Sequence, residues 1–363
     1  MRSVDARSGG HRVSPRELDE DDVRNRPPRR STRPRSKDRP AHADAAVGFV
    51  VGVDRGRITC VLGDPHDDRQ PGDQPALVTA VKARELGRKG VVIGDQVSLV
   101  GDVSGADDTL ARVVRVSDRV TSLRRTADDT DPVERVIVCN ADQLAIVTAL
   151  ADPPPRMGMI DRCLVAAFDA QLDPLLVLTK SDLADPSSLL EAYAALDVPF
   201  VVTHRGGSIG ELNERLHDRL TVMVGHSGVG KSTLVNELVP DAHRSIGVVN
   251  AVTGRGRHTS TSTVALPLPH GGWVIDTPGV RSFGLAHVDL SRVIRAFPEL
   301  EDGTEECPRG CSHDETECGL DAWVASGRAG SGGAARLASL RRLLSSRHSG
   351  DGGDSATNDP SND

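Results

Sequence analysis

At residues 225–232 the chain reads Gly225-His226-Ser227-Gly228-Val229-Gly230-Lys231-Ser232. The stretch follows an apolar run and precedes a helical pattern at 232–238, so it predicts a loop between a strand and a helix. Its glycines allow backbone N–H groups to face phosphate oxygens, Lys231 can reach the terminal phosphates, and the Ser232 hydroxyl can ligate Mg²⁺. Together with the adjoining Thr233, the stretch predicts a nucleotide phosphate site.

A second motif, Asp276-Thr277-Pro278-Gly279, comes directly after the apolar run at 273–275. Asp276 can hold Mg²⁺ through water, and the Gly279 amide can contact a γ-phosphate. An Asp-x-x-Gly turn taken alone is a common loop. In combination with the phosphate loop it predicts a switch segment.

The third motif, Thr179-Lys180-Ser181-Asp182, also follows an apolar run, at 175–178. The Asp182 carboxylate can accept two hydrogen bonds from N1–H and the exocyclic amine of guanine, a pair that adenine does not offer. The Lys180 stem can lie over the base. By itself the tetrapeptide fits a helix N-cap equally well.

The sequence around these motifs alternates between strand and helix patterns from residue 134 onwards. The helical patterns lie at 159–170 and 232–238, and a third follows at 334–347. Continuous apolar runs separated by helices predict a parallel sheet covered on both faces. These runs lie at 144–150, 175–178, 200–203, 220–224 and 273–275.

Ahead of this region lie short β-rich runs separated by Gly, Pro and Asp turns. Five such strands in a short segment predict a small OB-type barrel. They are expected at 48–53, 57–62, 76–81, 91–99 and 109–116.

Near the C-terminal end the chain reads Cys307-x3-Cys311-x-His313-x4-Cys318. Three thiolates and an imidazole can close a tetrahedron around one zinc ion and leave no open position for catalysis, which predicts a structural site. Free structural cysteines are the alternative. The remaining cysteines lie in apolar segments and are expected to be small core residues. They are Cys60, Cys139 and Cys163.

The composition restricts the class of protein. With 363 residues, 37% hydrophobic and 26% charged, the chain is neither collagen-like, mucin-like nor wholly disordered. No apolar run reaches the roughly 20 residues that span a bilayer, and the start lacks a signal-peptide core, so we expect a cytoplasmic protein without a membrane partner. The net charge of -8 argues against a uniformly basic nucleic-acid binder but permits local basic patches.

The three motifs resemble those of translation-factor-type GTPases, but here the guanine motif precedes the phosphate loop. With the barrel ahead and the Cys/His motif behind, residues 47–345 resemble the circularly permuted small ribosomal subunit biogenesis GTPase family. The resemblance implies an α/β, circularly permuted P-loop GTPase domain preceded by an OB-type β-barrel and followed by a zinc-bound helical module. The expected limits are 1–43 for a disordered basic arm, 44–128 for an RNA-binding barrel, 129–300 for the GTPase domain, 301–348 for the zinc module and 349–363 for a disordered tail.

The family resemblance also implies a function and further site residues. It implies a GTP hydrolase, using Mg²⁺ and one structural zinc, that acts late in small-subunit maturation, binds ribosomal RNA as a monomer and is stimulated by the subunit. The segment 254–261 would be the first switch, with Thr259 in the magnesium and γ-phosphate shell. Val280 stands where many GTPases carry a water-orienting glutamine, so His258 is the candidate replacement; an ordinary surface histidine is the alternative.

Two positions depart from the usual base-binding pattern. Thr179 replaces asparagine, which shortens a brace between the guanine motif and the phosphate loop. The last base-contacting motif has its best candidate in Thr203-His204.

Phe49 is the only aromatic residue before Phe168, so the barrel is a poor base-stacking platform. Backbone recognition of folded RNA by basic side chains is the expectation, with a solvated charged face as the alternative. The candidates are Lys82, Arg84, Arg88, Lys89, Arg119, Arg124 and Arg125.

Two other classes of function compete with this interpretation. One is a P-loop ATPase or small-molecule kinase unconnected to the ribosome. The other is a non-enzymatic zinc and RNA module whose nucleotide site is vestigial.

Overall fold

A closed five-stranded barrel forms the first part of the structure. The computed structural model describes residues 42–67, 75–87, 90–106, 108–126, 134–240, 263–277, 283, 285 and 288–346. Strand β1 pairs with both β2 and β4, and β3 pairs in parallel with β5, which closes the barrel and leaves no open edge. The strands are β1 (Ala46–Asp54), β2 (Arg57–Leu62), β3 (Leu77–Lys82), β4 (Gln96–Gly101) and β5 (Ala111–Val116).

The barrel confirms the predicted five-stranded architecture and corrects one strand. Four strands lie within two residues of their predicted limits. The strand expected at 91–99 begins only at Gln96, because the Asp95 carboxylate accepts the Val92 N–H at 2.8 Å and closes a turn there.

A hairpin of β6 (Ser122–Thr126) and β7 (Glu134–Cys139) follows the barrel, and sequence patterns did not predict it. It is tied to the turn ahead of β4, where the Cys139 N–H donates to the Ile93 carbonyl at 3.0 Å. Gly94 lies against this contact: a Cβ there would be 1.8 Å from the Cys139 carbonyl oxygen. The turn therefore requires glycine to let the two backbones approach.

The second part of the chain builds a mainly parallel sheet in the order β10-β9-β8-β11-β13-β12. Every residue of β8 and all but the last residue of β11 are buried, which explains their continuous apolar sequence. Strand β12 alone runs antiparallel to its neighbour. The strands are β8 (Gln143–Ala149), β9 (Asp173–Thr179), β10 (Phe200–Val202), β11 (Leu220–Gly225), β12 (Val264–Pro267) and β13 (Trp273–Asp276).

The barrel and this sheet form one continuous set of strands. Barrel strand β1 pairs with β12 at Gly52 and Val264. The Phe49 and Trp273 rings meet edge to face with centroids 5.2 Å apart, and the indole N–H of Trp273 donates to the Pro65 carbonyl at 3.1 Å. These contacts fix the barrel to the end of the sheet opposite β10.

Helices cover the sheet and form the C-terminal part of the chain. None of the helices in the described ranges has the length and apolar character that crossing a bilayer requires. The last helix packs against the first with a buried face of Leu337, Leu340 and Leu343. The helices are α1 (Met157–Ala170), α2 (Ser187–Tyr193), α3 (Gly210–Leu216), α4 (Lys231–Leu238), α5 (Leu290–Ile294), α6 (Pro298–Glu301), α7 (Gly319–Ala325) and α8 (Gly333–Ser345).

The expected domain limits stay predictions. The limit between 128 and 129 lies outside the described residues, as do the arm before residue 42 and the tail after residue 346. The limit between 300 and 301 falls inside α6. Cys60, Cys139 and Cys163 are buried, as predicted.

Candidate functional site

The phosphate loop leaves β11 at Gly225 and enters α4 at Lys231. Gly228 and Gly230 have φ angles of 86° and 90°, a conformation that L side chains rarely adopt. A Cβ on Gly225 would lie 2.7 Å from the Val147 carbonyl oxygen on β8. The glycines thus allow a tight loop whose N–H groups and helix N-terminus can surround an anion.

Lys231 and Asp276 form an ion pair at the centre of this site. The Lys231 ammonium contacts Asp276 Oδ1. Asp276 is the last residue of β13, which lies beside β11 with Met223 in register. The adjoining Thr277 is buried and donates its hydroxyl hydrogen to the Met223 carbonyl at 2.8 Å. The strand pairing thereby brings the predicted phosphate and switch motifs together.

Thr179 links the guanine motif to the phosphate loop. Its buried hydroxyl lies 2.6 Å from the Val229 carbonyl oxygen and 3.3 Å from that of Thr148. A hydroxyl has one hydrogen to donate, and the shorter contact to Val229 is the better bond. The short side chain therefore still reaches the phosphate loop, although asparagine would offer a second donor.

The rest of the guanine motif borders the candidate base-contacting segment. The Ser181 N–H donates to the Thr203 carbonyl at 3.2 Å, and the Ser181 hydroxyl lies 3.4 Å from His204 Nδ1. These two contacts form because β9 and β10 pair with Leu178 beside Val202. Asp182 and His204 are both exposed, so their polar groups are accessible to a ligand.

The loop after β8 is a neighbour of the site that the sequence interpretation missed. The Lys180 ammonium donates to the Asp152 carbonyl. A Cβ on Gly228 would lie 3.5 Å from Pro153 Cδ. Because β8 lies between β9 and β11, the end of that strand could have indicated this position from topology alone.

Several predicted residues lie outside the described ranges. These are His258, Thr259, Gly279 and Val280, and, among the basic residues of the barrel, Arg88 and Lys89.

The Cys/His motif folds into one cluster. The ligand atoms of Cys307, Cys311, His313 and Cys318 lie within 4.8 Å of one another. The sulfurs of Cys307 and Cys318 are 3.8 Å apart, and His313 Nδ1 is 3.6 Å from the Cys307 sulfur. A zinc tetrahedron with bonds of about 2.3 Å has edges of about 3.8 Å. The donor set and its spacing therefore fit a four-coordinate metal ion.

The surroundings of the cluster favour metal binding. Burial lowers the pKa of His313 below its ordinary value, which keeps the imidazole neutral, as a ligand must be. Arg341 of α8 donates from Nε to the His313 carbonyl at 2.9 Å, and its other nitrogens bind the Asp321 carboxylate of α7 at 2.7 and 2.9 Å. One guanidinium thus joins the cluster to two helices.

The basic candidates on the barrel are not equivalent. Arg119 binds the fully buried Asp95 carboxylate through Nε at 2.8 Å and a terminal nitrogen at 2.9 Å. Removing Arg119 would leave the buried Asp95 carboxylate without its cationic partner, so Arg119 stabilises the turn before β4. Lys82, Arg84 and Arg124 are exposed and Arg125 is half-buried.

The chain resembles known proteins in both sequence and fold. A family model described as RsgA GTPase matches residues 116–286. The small ribosomal subunit biogenesis GTPase RsgA of Ectopseudomonas mendocina is 41% identical over 220 residues, covering 58% of this chain and 63% of that protein, less than two thirds of its length. The protein of the same name from Chlorobaculum parvum is 36% identical over 274 residues, covering 71% of this chain and 88% of the relative.

Two solved structures share the fold. YjeQ from Thermotoga maritima gives a TM-score of 0.56 at 25% identity and covers 84% of this chain and 98% of its own. YloQ, described as a circularly permuted GTPase, gives 0.58 at 21% identity, covers 86% of this chain and 98% of its own, and supports the fold alone. The reversed order of motifs agrees with the description of YloQ as circularly permuted, and the chain belongs to the RsgA GTPase family.

Proposed function

We propose that the chain binds and hydrolyses GTP and acts in the maturation of the small ribosomal subunit. Relatives that share 36% to 41% of their sequence with it carry this role in their names. The observation that carries the proposal is the contact between the Thr179 hydroxyl and the Val229 carbonyl. This contact joins the guanine motif to a phosphate loop that comes later in the chain. A turn that contained an aspartate by chance would not be expected to make such a contact.

In this proposal the phosphates occupy the loop between β11 and α4, and Lys231 neutralises their terminal charge. The ion pair of Lys231 and Asp276 brings together both charges that Mg²⁺ and GTP require. The ammonium would face phosphate, the Ser232 hydroxyl would hold the metal, and the Asp276 carboxylate would hold it through water. Bound Mg²⁺ would neutralise the triphosphate. The residues assigned to the phosphates and to their Mg²⁺ are Gly225, His226, Ser227, Gly228, Val229, Gly230, Lys231, Ser232, Thr233, Asp276 and Gly279.

Base choice is assigned to Asp182, supported by Thr179, Lys180 and Ser181. The exposed carboxylate can accept from both N1–H and the amine of guanine. The neighbouring segment Thr203-His204 lies against the same motif, because the Thr203 carbonyl accepts the Ser181 N–H. A site that leaves such a carboxylate unpaired with adenine selects GTP over ATP.

Hydrolysis is assigned to the segment around His258 and Thr259. Valine at position 280 offers no hydrogen bond to an attacking water, so His258 is proposed to orient it and Thr259 to complete the metal shell. A histidine delivered by a loop requires that loop to be ordered. Hydrolysis is therefore expected to be slow until the ribosomal subunit binds.

The Cys/His cluster is proposed to hold zinc in a purely structural site, since all four positions of a tetrahedron are filled by protein ligands. The barrel is proposed to contact ribosomal RNA through its exposed basic side chains, among them Lys82, Arg84 and Arg124. A monomer in the cytoplasm is the form that this role implies.

The test is phosphate release from GTP with and without purified small ribosomal subunits. We expect strong stimulation by small subunits, little by large subunits, and little release from ATP. His258→Ala should reduce the stimulated rate far more than nucleotide affinity, whereas His270→Ala, at an exposed position, should change neither. Hydrolysis of ATP as fast as GTP would support the kinase or ATPase alternative. Absence of stimulation would support the vestigial site.

A further inference from the structure

Helix α1 buries two adjacent charged residues. Asp161 is 3% exposed and Arg162 is 8% exposed, in a helix that is otherwise packed among apolar side chains. Burying a charge is costly unless it is paired or hydrogen-bonded. Neighbouring residues on a helix point about 100° apart, so the two side chains must find partners on different elements.

Arg162 binds the main chain beyond the switch motif. A terminal guanidinium nitrogen donates to the Phe283 carbonyl at 2.9 Å, across 121 positions of sequence. The Phe283 side chain is itself buried in the main core, 1% exposed, together with Ile160 of α1. Phe283 is thus held twice, by apolar packing and by a charge-assisted hydrogen bond.

The other end of the same short segment is also fixed. Thr277 follows Asp276 and is bound to β11 through its hydroxyl, whose partner is the Met223 carbonyl. The described residues on the two sides of 278–282 are therefore both fixed, Thr277 on the sheet and Phe283 on α1. Arg162 contributes one of the two contacts that hold Phe283.

Asp161 connects α1 to the C-terminal helices. Its carboxylate lies 3.2 Å from Arg342 Nε of α8. The Arg342 guanidinium also donates to the Ala192 carbonyl at 3.0 Å and lies 4.8 Å from the centre of the Tyr193 ring. These contacts stabilise the docking of α8, and they are made by residues other than Arg162 and Phe283.

We propose that Arg162 is a positioning residue for GTP hydrolysis, which holds Phe283, beyond the switch motif, through its carbonyl, while Asp161 takes part in docking α8. The inference rests on the proposed GTPase function. Arg162 acts through main chain and touches neither nucleotide nor metal. Its loss should therefore affect the hydrolytic step and leave nucleotide binding nearly intact.

Variants at Arg162 and at Arg342, which pairs with the adjacent Asp161, can be compared in the full-length protein. Arg162→Met should lower kcat for subunit-stimulated hydrolysis about tenfold, the effect of losing one hydrogen bond from a charged donor, with GTP and GDP dissociation constants unchanged within about twofold. Arg162→Lys keeps a charged donor and should recover part of the rate. Arg342→Met removes the cationic partner of Asp161 and should lower the melting temperature without a comparable loss of kcat.

Hydrogen–deuterium exchange adds a measurement that does not need activity. The peptide spanning 283–294 should exchange faster in Arg162→Met than in wild type, and less so in Arg342→Met. If Arg162→Met does not fold, Arg162→Gln and Arg162→Lys give the same comparison. An unchanged kcat in an active protein, equal losses of kcat in the Arg162 and Arg342 variants, or no difference between Lys and Met at position 162 would overturn the inference. A wild type that fails to hydrolyse GTP would instead overturn the proposed function.

Discussion

The nucleotide site and the Cys/His cluster are assembled in opposite ways. The four cluster residues lie between positions 307 and 318. The nucleotide motifs come from 179–182, 225–233 and 276, at the ends of three different strands. The cluster depends on the path of one short segment, whereas the nucleotide site depends on the order of strands in a sheet.

This difference explains why a permuted chain can retain a GTPase site. Strands β9, β8, β11 and β13 lie side by side in parallel, so their carboxyl ends meet at one edge whatever order the chain visits them in. A short ligand motif has no such freedom, because each spacing sets where the next ligand falls. The comparison predicts that the two sites respond independently to most substitutions.

The largest expected effect concerns Asp182 and base choice. Asp182→Asn should weaken GTP binding about 1000-fold, because an amide cannot accept two hydrogen bonds from guanine. The amide can donate to the 2-oxo group of xanthine, so xanthosine triphosphate should bind where GTP does not. Nucleotide titrations measure both affinities.

The matched control for this change is Asp185→Asn. Asp185 is exposed, lies three positions further on and caps the Ser187 N–H at 2.8 Å. It should leave GTP affinity unchanged. Loss of GTP binding without a gain for xanthosine triphosphate would mean that Asp182 does not read the base.

Disrupting the proposed metal site of the cluster should have the next largest effect, and on a different property. Cys318→Ser takes away a buried ligand next to α7, and the segment that it organises should become sensitive to protease. A structural metal contributes folding energy directly, so the melting temperature should fall and binding to small subunits weaken. GTP affinity should change less than about twofold because the nucleotide motifs lie on the sheet.

The measurement needs limited proteolysis, subunit pelleting and nucleotide titration on the same sample. Chelation of wild type in excess Mg²⁺ should reproduce the effects of Cys318→Ser. Equal loss of GTP binding and subunit binding would show that the two sites are not independent.

The same contrast accounts for what the sequence could predict. Cys307 to Cys318 and the glycine loop at 225–232 were predictable because each is a local pattern with a fixed chemical requirement. The hairpin of β6 and β7 was missed because its strands carry Arg124, Arg125 and Arg135, which hide the usual apolar signal. Arg162 was missed because its partner, Phe283, is remote in sequence, and a charged residue in a helical pattern ordinarily indicates a solvated face.

A moderate effect is expected from the contact that joins the guanine motif to the phosphate loop. Thr179→Val keeps the shape of the side chain but removes the hydroxyl that reaches the Val229 carbonyl. One neutral hydrogen bond contributes about 1 kcal/mol, so GTP and GDP affinity should each fall roughly fivefold. Metal content should stay unchanged.

Thr221→Val tests whether position matters. Thr221 is likewise buried, on β11, and its hydroxyl donates to Gln143 Oε1 at 3.2 Å, so it controls for the loss of a buried hydroxyl and its hydrogen bond. Equal effects of both variants would show that the Thr179 contact has no special role in joining the two motifs.

The smallest expected effect compares two kinds of cysteine. Cluster thiols must ionise to bind metal, whereas burial raises the pKa of Cys60 and Cys163 to about 12. A core thiol therefore keeps its proton in the folded protein while the unfolded chain ionises above pH 9. Its contribution to stability is complete below pH 9 and is lost as pH rises towards 12.

Between pH 8 and pH 10, the free energy of unfolding of wild type should fall about 1.4 kcal/mol more than that of Cys163→Ala. Denaturant titrations at both pH values measure this difference. Ser339→Ala, which removes a buried hydroxyl that does not titrate in this range, should follow the wild-type profile. If Cys163→Ala followed it too, the thiol would be ionising in the folded state, and the distinction between core and cluster cysteines would not hold.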